Sequence, residues 1–156
     1  MFEEILWMFS VETQVGWLRV EGNQYFVTSA AFEYVRPEAD FGQCVLKEKA
    51  IKQTLAYLEG HQHEFDLPLM TRGSDFQHRV WVQLADIPAG QTRTYGEIAS
   101  RLGSSPRAVG NACRKNPVAV IVPCHRVVSA NGIGGYAGHT AGQHLSVKAW
   151  LLQHEA

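Results

Sequence analysis

Ile121-Val122-Pro123-Cys124-His125-Arg126-Val127 sets a cysteine, a histidine and an arginine at the end of a β-branched apolar run. A thiol ionises near pH 8.5 and becomes a working nucleophile when a base, a cation or a helix N-terminus favours the thiolate, so an electropositive setting is expected around Cys124. His125 is the adjacent candidate base. In an extended segment neighbouring side chains point apart, so the pair needs a bridging water or a turn at Pro123 to communicate. An imidazole used as a base also needs a carboxylate to orient it and stabilise its charge. In the second half of the chain Asp75, Asp86 and Glu97 sit where helix capping accounts for them, which leaves Glu155 as the nominated partner.

The elements that position these residues can be read from periodicity and punctuation. Leu6 to Phe9, Trp17 to Val20 and Tyr25 to Thr28 are short β-rich pieces separated by Gly- and Asn-bearing gaps, the pattern of an antiparallel meander. Val45 to Glu59 carries Leu46, Ala50, Ile51, Leu55 and Leu58 at helical spacing and stops at Gly60. Phe65 to Met70 reads as a further strand, and Thr71-Arg72-Gly73-Ser74 as a linker. Beyond it Ser74 caps a helix to about Asp86, and Thr94 with Glu97 has the capping-box spacing for a helix through Leu102. After Gly103, Ser105 and Pro106 start a helix through Arg114. The two short helices form a helix-turn-helix pattern. Val118 to Val122 reads as a buried strand delivering Cys124, and Leu145 to Gln153 as a last helix. The fold class is α/β in the α+β sense, with a domain of residues 1–72 and another of residues 73–156.

The net charge of −1 hides an asymmetry: residues 1–70 carry five Lys/Arg against eleven Asp/Glu, and residues 71–126 carry eight against three. Phosphate attraction depends on local charge, so the second half is the expected nucleic-acid-binding part. Arg107 and Arg114-Lys115 place cations at both ends of a helix kept slim by Ala108, Gly110 and Ala112. Such a helix fits close to a nucleic-acid backbone, although small residues equally serve close packing. Three widely spaced cysteines without a CxxC pair do not make a disulfide framework, and Cys44 with His61 and His63 has poor metal-ligand spacing. No secretory leader, membrane span, metal or cofactor is expected, and the chain reads as an intracellular, cytoplasmic protein with access to DNA.

Taken together, Thr94-Tyr95-Gly96-Glu97-Ile98-Ala99, Arg107-Ala108-Val109-Gly110, Lys115-Asn116-Pro117-Val118, Ile121 through Val127, Gly134-Gly135-Tyr136 and Val147-Lys148 with Trp150-Leu151-Leu152 closely resemble the O6-alkylguanine-DNA alkyltransferases. The resemblance extends over residues 74–156, with Pro-Cys-His-Arg its most specific part. Residues 1–70 agree in outline with that family's ribonuclease H-like N-terminal domain.

The resemblance implies that Cys124 accepts an alkyl group irreversibly from O6 of a flipped guanine, with O4-alkylthymine a further possible donor. It implies that His125 draws off the thiol proton through a water while Glu155 holds the imidazole. Arg107 becomes the finger that fills the vacated stack, with Ala108, Gly110, Arg114 and Tyr95 also at the DNA. Tyr95 gives a proton to the departing base, and Asn116 ties the recognition helix to the active-site segment. Tyr136, Val127 and Arg126 border the substrate pocket. The partner implied is double-stranded DNA containing alkylated guanine, met by a monomer. The loop from Gly138 to His144 is longer than the family pattern. Rival classes are a non-catalytic lesion sensor or helix-turn-helix regulator, which the presence of Cys124 disfavours, and a cysteine hydrolase, which would turn over repeatedly.

Overall fold

A computed structural model describes residues 4–136 and 142–156 and divides the chain into two compact units, residues 1–72 and 73–156. In the first unit β1 (Trp7–Thr13), β2 (Gly16–Gly22) and β3 (Val27–Glu33) form an antiparallel meander in that order. Phe9 faces Val20 and Leu18 faces Phe32 in the register. All three strands run longer than their apolar pieces suggest; β1 and β3 begin one and two residues later, and β2 begins one residue earlier. Asn23 explains the third: its side-chain oxygen accepts from the backbone of both Tyr25 and Phe26 at 2.9 Å, so those two residues belong to a turn.

Helix α1 (Val45–Leu58) contacts β1. Its buried stripe is Leu46, Lys47, Ala50, Thr54 and Tyr57, whereas Leu55, expected inward, is exposed. Trp7, Phe9, Leu18, Val20, Val27, Ala30 and Tyr57 form the core of this unit. The strand expected at Phe65 to Met70 reduces to one parallel bridge between Val27 and Leu69. Pro68 supplies a carbonyl to Val27 at 2.8 Å but has no N–H, so a ladder cannot continue through it.

The second unit contains α2 (Asp75–Ala85), β4 (Arg93–Thr94), α3 (Tyr95–Leu102), α4 (Pro106–Arg114), a 3-10 turn (Cys124–Arg126), β5 (Val127–Val128) and α5 (Gln143–Glu155). Capping defines the helices as the sequence suggests. Ser74 and Gln77 exchange both bonds of a capping box, Thr94 Oγ1 accepts from Glu97 N at 3.0 Å, and Ser105 Oγ accepts from Ala108 N at 3.2 Å. Gly103 ends α3 in the left-handed region, φ 63, where glycine has no Cβ penalty. Val80, Trp81, Leu84, Ile98, Val109, Ala112, Val147 and Leu151 are buried. Trp81 Nε1 donates to the Ala112 carbonyl at 2.9 Å, tying α2 to α4.

The strand expected over Val118 to Val122 is not formed. Val122 N returns to Val118 O at 2.9 Å, and buried Val120 has φ 71, a conformation that costs a β-branched residue on the order of 1–3 kcal/mol. The cause is Asn116, whose amide donates to Val122 O at 2.8 Å and accepts from Val118 N at 3.1 Å. These two bonds clasp the segment into a loop between Pro117 and Pro123. The lengthened loop expected at 138–144 falls mostly outside the described residues.

Candidate active site

Pro123 turns the chain at the nucleophile. Its φ of −82 and ψ of 69 are those of an inverse γ-turn, and Cys124 N donates to Val122 O at 2.8 Å across it. Cys124, His125 and Arg126 then make one 3-10 turn, closed by Arg126 N on Pro123 O at 3.0 Å. Cys124 and His125 therefore lie on a curl, the second of the two arrangements that let such neighbours communicate.

His125 is fully buried, and its Nε2 lies 2.8 Å from Glu155 Oε2 at the end of α5. If Nε2 carries the proton, that contact is a donation to the carboxylate and Nδ1 holds the free lone pair; Nδ1 has no hydrogen-bond partner among the described residues. Burial, foremost, holds the imidazole below its usual 6.5, reinforced by the charges of Arg126 and Lys148 and opposed by Glu155. At neutral pH His125 is thus a neutral base with an oriented ring.

Glu155 is more committed than its free position in the sequence suggests. Arg126 Nε donates to its Oε1 and Arg126 Nη2 to its Oε2, both at 2.8 Å, while Nη1 donates to Ile87 O at 2.6 Å. Arg126 was expected at the rim of the pocket. The structure places it 5% exposed with its guanidinium on Glu155, because a buried arginine requires a carboxylate fork and finds one on α5.

The thiol of Cys124 is likewise not resting as a thiolate. Burial pushes it above its ordinary value, outweighing the hydrogen bond from Asn116, the charge of Lys148 and its own backbone N–H, each of which acts downward. The electropositive setting exists but loses to desolvation. Asn116 clasps the loop and also acts to lower the thiol's pKa.

Tyr95, first residue of α3, is half-buried. Its phenol is pushed up to about 12 by burial and then by the neighbouring Cys113 and Cys124 sulfurs, so it is a proton donor at any ordinary pH. Gly134 has φ 79, and a Cβ there would lie 3.1 Å from Tyr95 Cε2 and 3.2 Å from Ser129 N. Gly110 makes a looser approach, 3.9 Å from Tyr95 Cε1 to where its Cβ would be. The small residues of α4 therefore serve packing in part: Ala112 is buried, while Ala108 and Gly110 are half-buried. Arg107 and Arg114 are exposed near the two ends of that helix. Val127 is buried in β5, which pairs in parallel with β4, and Tyr136 is 7% exposed.

Lys148 had no role assigned from sequence. It is fully buried in α5 and donates from Nζ to Val127 O at 2.6 Å and to Gly135 O at 2.8 Å. Its signal was its spacing: Lys148, Leu151 and Glu155 fall on one helical stripe, next to Val147. Among the described residues no group of three His, Cys, Asp or Glu is arranged to hold a metal ion.

Residues 75–156 match the model of the 6-O-methylguanine DNA methyltransferase DNA-binding domain. A methylated-DNA–protein-cysteine methyltransferase of Methanosarcina acetivorans is 47% identical over 110 residues, 69% of this chain and 67% of the relative. One of Mycobacterium bovis is 53% identical over 92 residues, so that match spans only 56% of the relative's length. Among solved structures, Mycobacterium tuberculosis O6-methylguanine methyltransferase superimposes with a TM-score of 0.82 at 36% identity, covering 97% of this chain and 93% of that one. The M. tuberculosis OGT in complex with DNA gives 0.79 at 38% identity, with coverages of 95% and 91%.

Proposed function

The chain belongs to the 6-O-methylguanine DNA methyltransferase family, and from that premise we propose that it repairs DNA by moving an alkyl group from O6 of guanine onto its own Cys124, once per molecule. One observation carries the reading: a buried, neutral imidazole held 2.8 Å from a carboxylate, in the same 3-10 turn as the thiol.

The chemistry follows from the protonation states. A resting thiol needs a base, and His125 offers Nδ1, taking the Cys124 proton through one water while Glu155 steadies the imidazolium. The thiolate attacks the alkyl carbon in line. The S–C bond forms as the C–O6 bond breaks, and its electron pair goes to the guanine. Tyr95 supplies the proton that neutralises the departing base, and the proton held on His125 replaces it. The thioether has no easy hydrolytic exit, so the protein is consumed.

An O6 atom inside a duplex cannot meet a half-buried sulfur in line, so the nucleotide must leave the stack, at a cost of a few kcal/mol. We assign α3 and α4 as the helix-turn-helix, Arg107 as the side chain that fills the gap, and Ala108, Gly110 and Arg114 as its neighbours along the DNA. Val127 and Tyr136 border the base, and Arg126 acts behind it through Glu155. The meander with α1 supports assigning residues 1–72 as the ribonuclease H-like domain and residues 73–156 as the alkyltransferase domain. The partner is double-stranded DNA bearing alkylated guanine, met by a monomer inside the cell. Among the described residues no helix is long and apolar enough to cross a membrane.

Intact mass spectrometry after incubation with O6-methylguanine duplex tests the proposal. The expected result is one added methyl per chain, located on Cys124 by peptide mapping. An unmodified chain, or a methyl on Cys44 or Cys113, overturns it.

A further inference from the structure

We infer that Trp81 is a positioning residue for the reaction on duplex DNA: its hydrogen bond to the last turn of α4 fixes the angle at which that helix carries Arg107, relative to the loop that carries Cys124. The role rests on the alkyl-transfer reading above, with α4 as the helix that meets the duplex. It adds a residue of α2 to the machinery.

α4 has little with which to set its own orientation. Of its nine residues Val109 and Ala112 are the fully buried ones, and Ala108, Gly110 and Ala112 leave its surface almost without ridges. Interlocking ridges are what fix a helix crossing angle, and even well-packed pairs scatter by about 15–20°. A pivot of that size about Ala112 moves the backbone of Arg107, five residues and about 7.5 Å back along the axis, by about 2 Å. Reactions that depend on placement lose about a hundredfold for a misplacement of about 1 Å, so a side chain that must enter a base stack needs a firmer seat.

Trp81 supplies the missing direction. It is 5% exposed, and its Nε1 donates to Ala112 O at 2.9 Å. The same carbonyl accepts from Lys115 N at 3.2 Å, and Asn116 N donates to Cys113 O at 3.2 Å, so the indole bond falls where α4 ends and the chain turns into Asn116. Asn116 in turn donates to Val122 O at 2.8 Å, the carbonyl that also accepts from Cys124 N at 2.8 Å. The pivot of the DNA-facing helix and the seat of the nucleophile are therefore joined by one continuous run of directional bonds.

The indole is itself held in place. Gly73 lies against it, where a Cβ would stand 2.5 Å from Trp81 Cη2 and 3.0 Å from Cζ3. His78 meets it at a steep angle, with ring centroids 5.0 Å apart. An aromatic that merely filled this space would leave Ala112 O to Lys115 N alone. Here a fixed ring spends its one N–H on a helix end, the place where backbone carbonyls lack intrahelical donors.

The test measures single-turnover transfer from O6-methylguanine duplex and from free O6-benzylguanine, with alkyl uptake at long times showing that every chain is active. In Trp81→Phe the duplex rate falls about tenfold to a hundredfold, as an ångström-scale shift of Arg107 requires, while the free-base rate stays within about twofold. Equal losses on both substrates, or no loss on either, overturn the inference, since a residue that only fills the core alters both alike. If Trp81→Phe does not fold, benzothienylalanine placed at position 81 alone decides the matter, because it keeps the shape of the indole and has sulfur in place of the N–H. The same split between substrates is expected, and an unchanged duplex rate overturns the role. Arg107→Ala separates this inference from the reading beneath it. Equal losses on both substrates in that variant refute α4 as the helix that fills the stack; a split there, with none in the Trp81 variants, refutes the role of Trp81 alone.

Discussion

Glu155→Gln keeps the shape of the side chain and removes its charge, and the local geometry sets the consequence. The carboxylate meets His125 Nε2, Arg126 Nε and Arg126 Nη2, all at 2.8 Å. A glutamine has one oxygen, so one N–H of its amide must face a donor whichever way it turns. Arg126, 5% exposed, then loses the carboxylate that faces its charge. Breaking a buried pair from one side costs about 3–5 kcal/mol. At about 2–4 °C per kcal/mol in a chain of this size, Tm falls by roughly 6–20 °C. Arg126→Met breaks the same pair from the other side and also leaves Ile87 O without its 2.6 Å donor, a further loss of about 1–3 kcal/mol. The double variant Glu155→Gln/Arg126→Met buries neither charge of the pair. It should be no less stable than Arg126→Met alone, far from the sum of the single losses, yet its alkyl-transfer rate should stay low because His125 has no anion to steady it. Urea unfolding at neutral pH gives the stabilities, and single-turnover transfer from O6-methylguanine duplex gives the rate. Single losses under about 1 kcal/mol, the range of an exposed pair, or an additive double variant, would refute the reasoning.

Asn116→Ala leaves Val118 N without its partner and takes one of two donors from Val122 O, which keeps Cys124 N, so at about 1–3 kcal/mol for the group left unpaired the chain should lose roughly 1–3 kcal/mol; an unchanged urea midpoint would show that the clasp is dispensable. His125 is held below 6.5, so as pH falls below that value the unfolded chain takes up a proton that the folded chain refuses, and stability declines with acidity. Comparing urea unfolding of wild type and His125→Gln above and below pH 6.5 isolates that contribution, and parallel pH dependences would count against it. Arg107→Ala should impair transfer from duplex DNA far more than transfer from free O6-benzylguanine, and equal losses on both would remove its assignment as the gap-filling residue.

What could be read from the sequence was what is decided locally. Ser74, Thr94, Ser105 with Pro106, and Gly103 mark helix ends through bonds to residues within a turn, and each stands where its chemistry predicts. The apolar run Val118 to Val122 shows only that its side chains are inside; its shape comes from Asn116, which competes for the backbone groups a strand would have used. Phe65 to Met70 departs from the expected strand for a different reason, a proline within an otherwise strand-like run. The hidden parts of the site are long-range. Arg126, expected beside the pocket, and Lys148, given no role, find their partners far along the chain: Glu155, 29 residues from Arg126, and Val127, 21 residues from Lys148.

Those buried charges bear on why the site is suited to a single event. Burial drives the Cys124 thiol up, the His125 imidazole down and the Lys148 ammonium down, in each case towards the neutral form. Glu155 and Arg126 are the pair that compensates itself within the site. A resting thiol is protected from oxidants and stray electrophiles, because the thiolate is the reactive species. Moving one proton from Cys124 to His125 changes this locally: it creates an anion facing Lys148 and a cation facing Glu155, so each new charge appears beside its opposite, and alkylation then removes the anion permanently. A catalyst that turns over must restore its nucleophile and benefits from a persistently lowered thiol pKa. A site that fires once is better served by a thiol that stays protonated until the substrate arrives, and the balance between burial and the buried cations at Cys124 has that character.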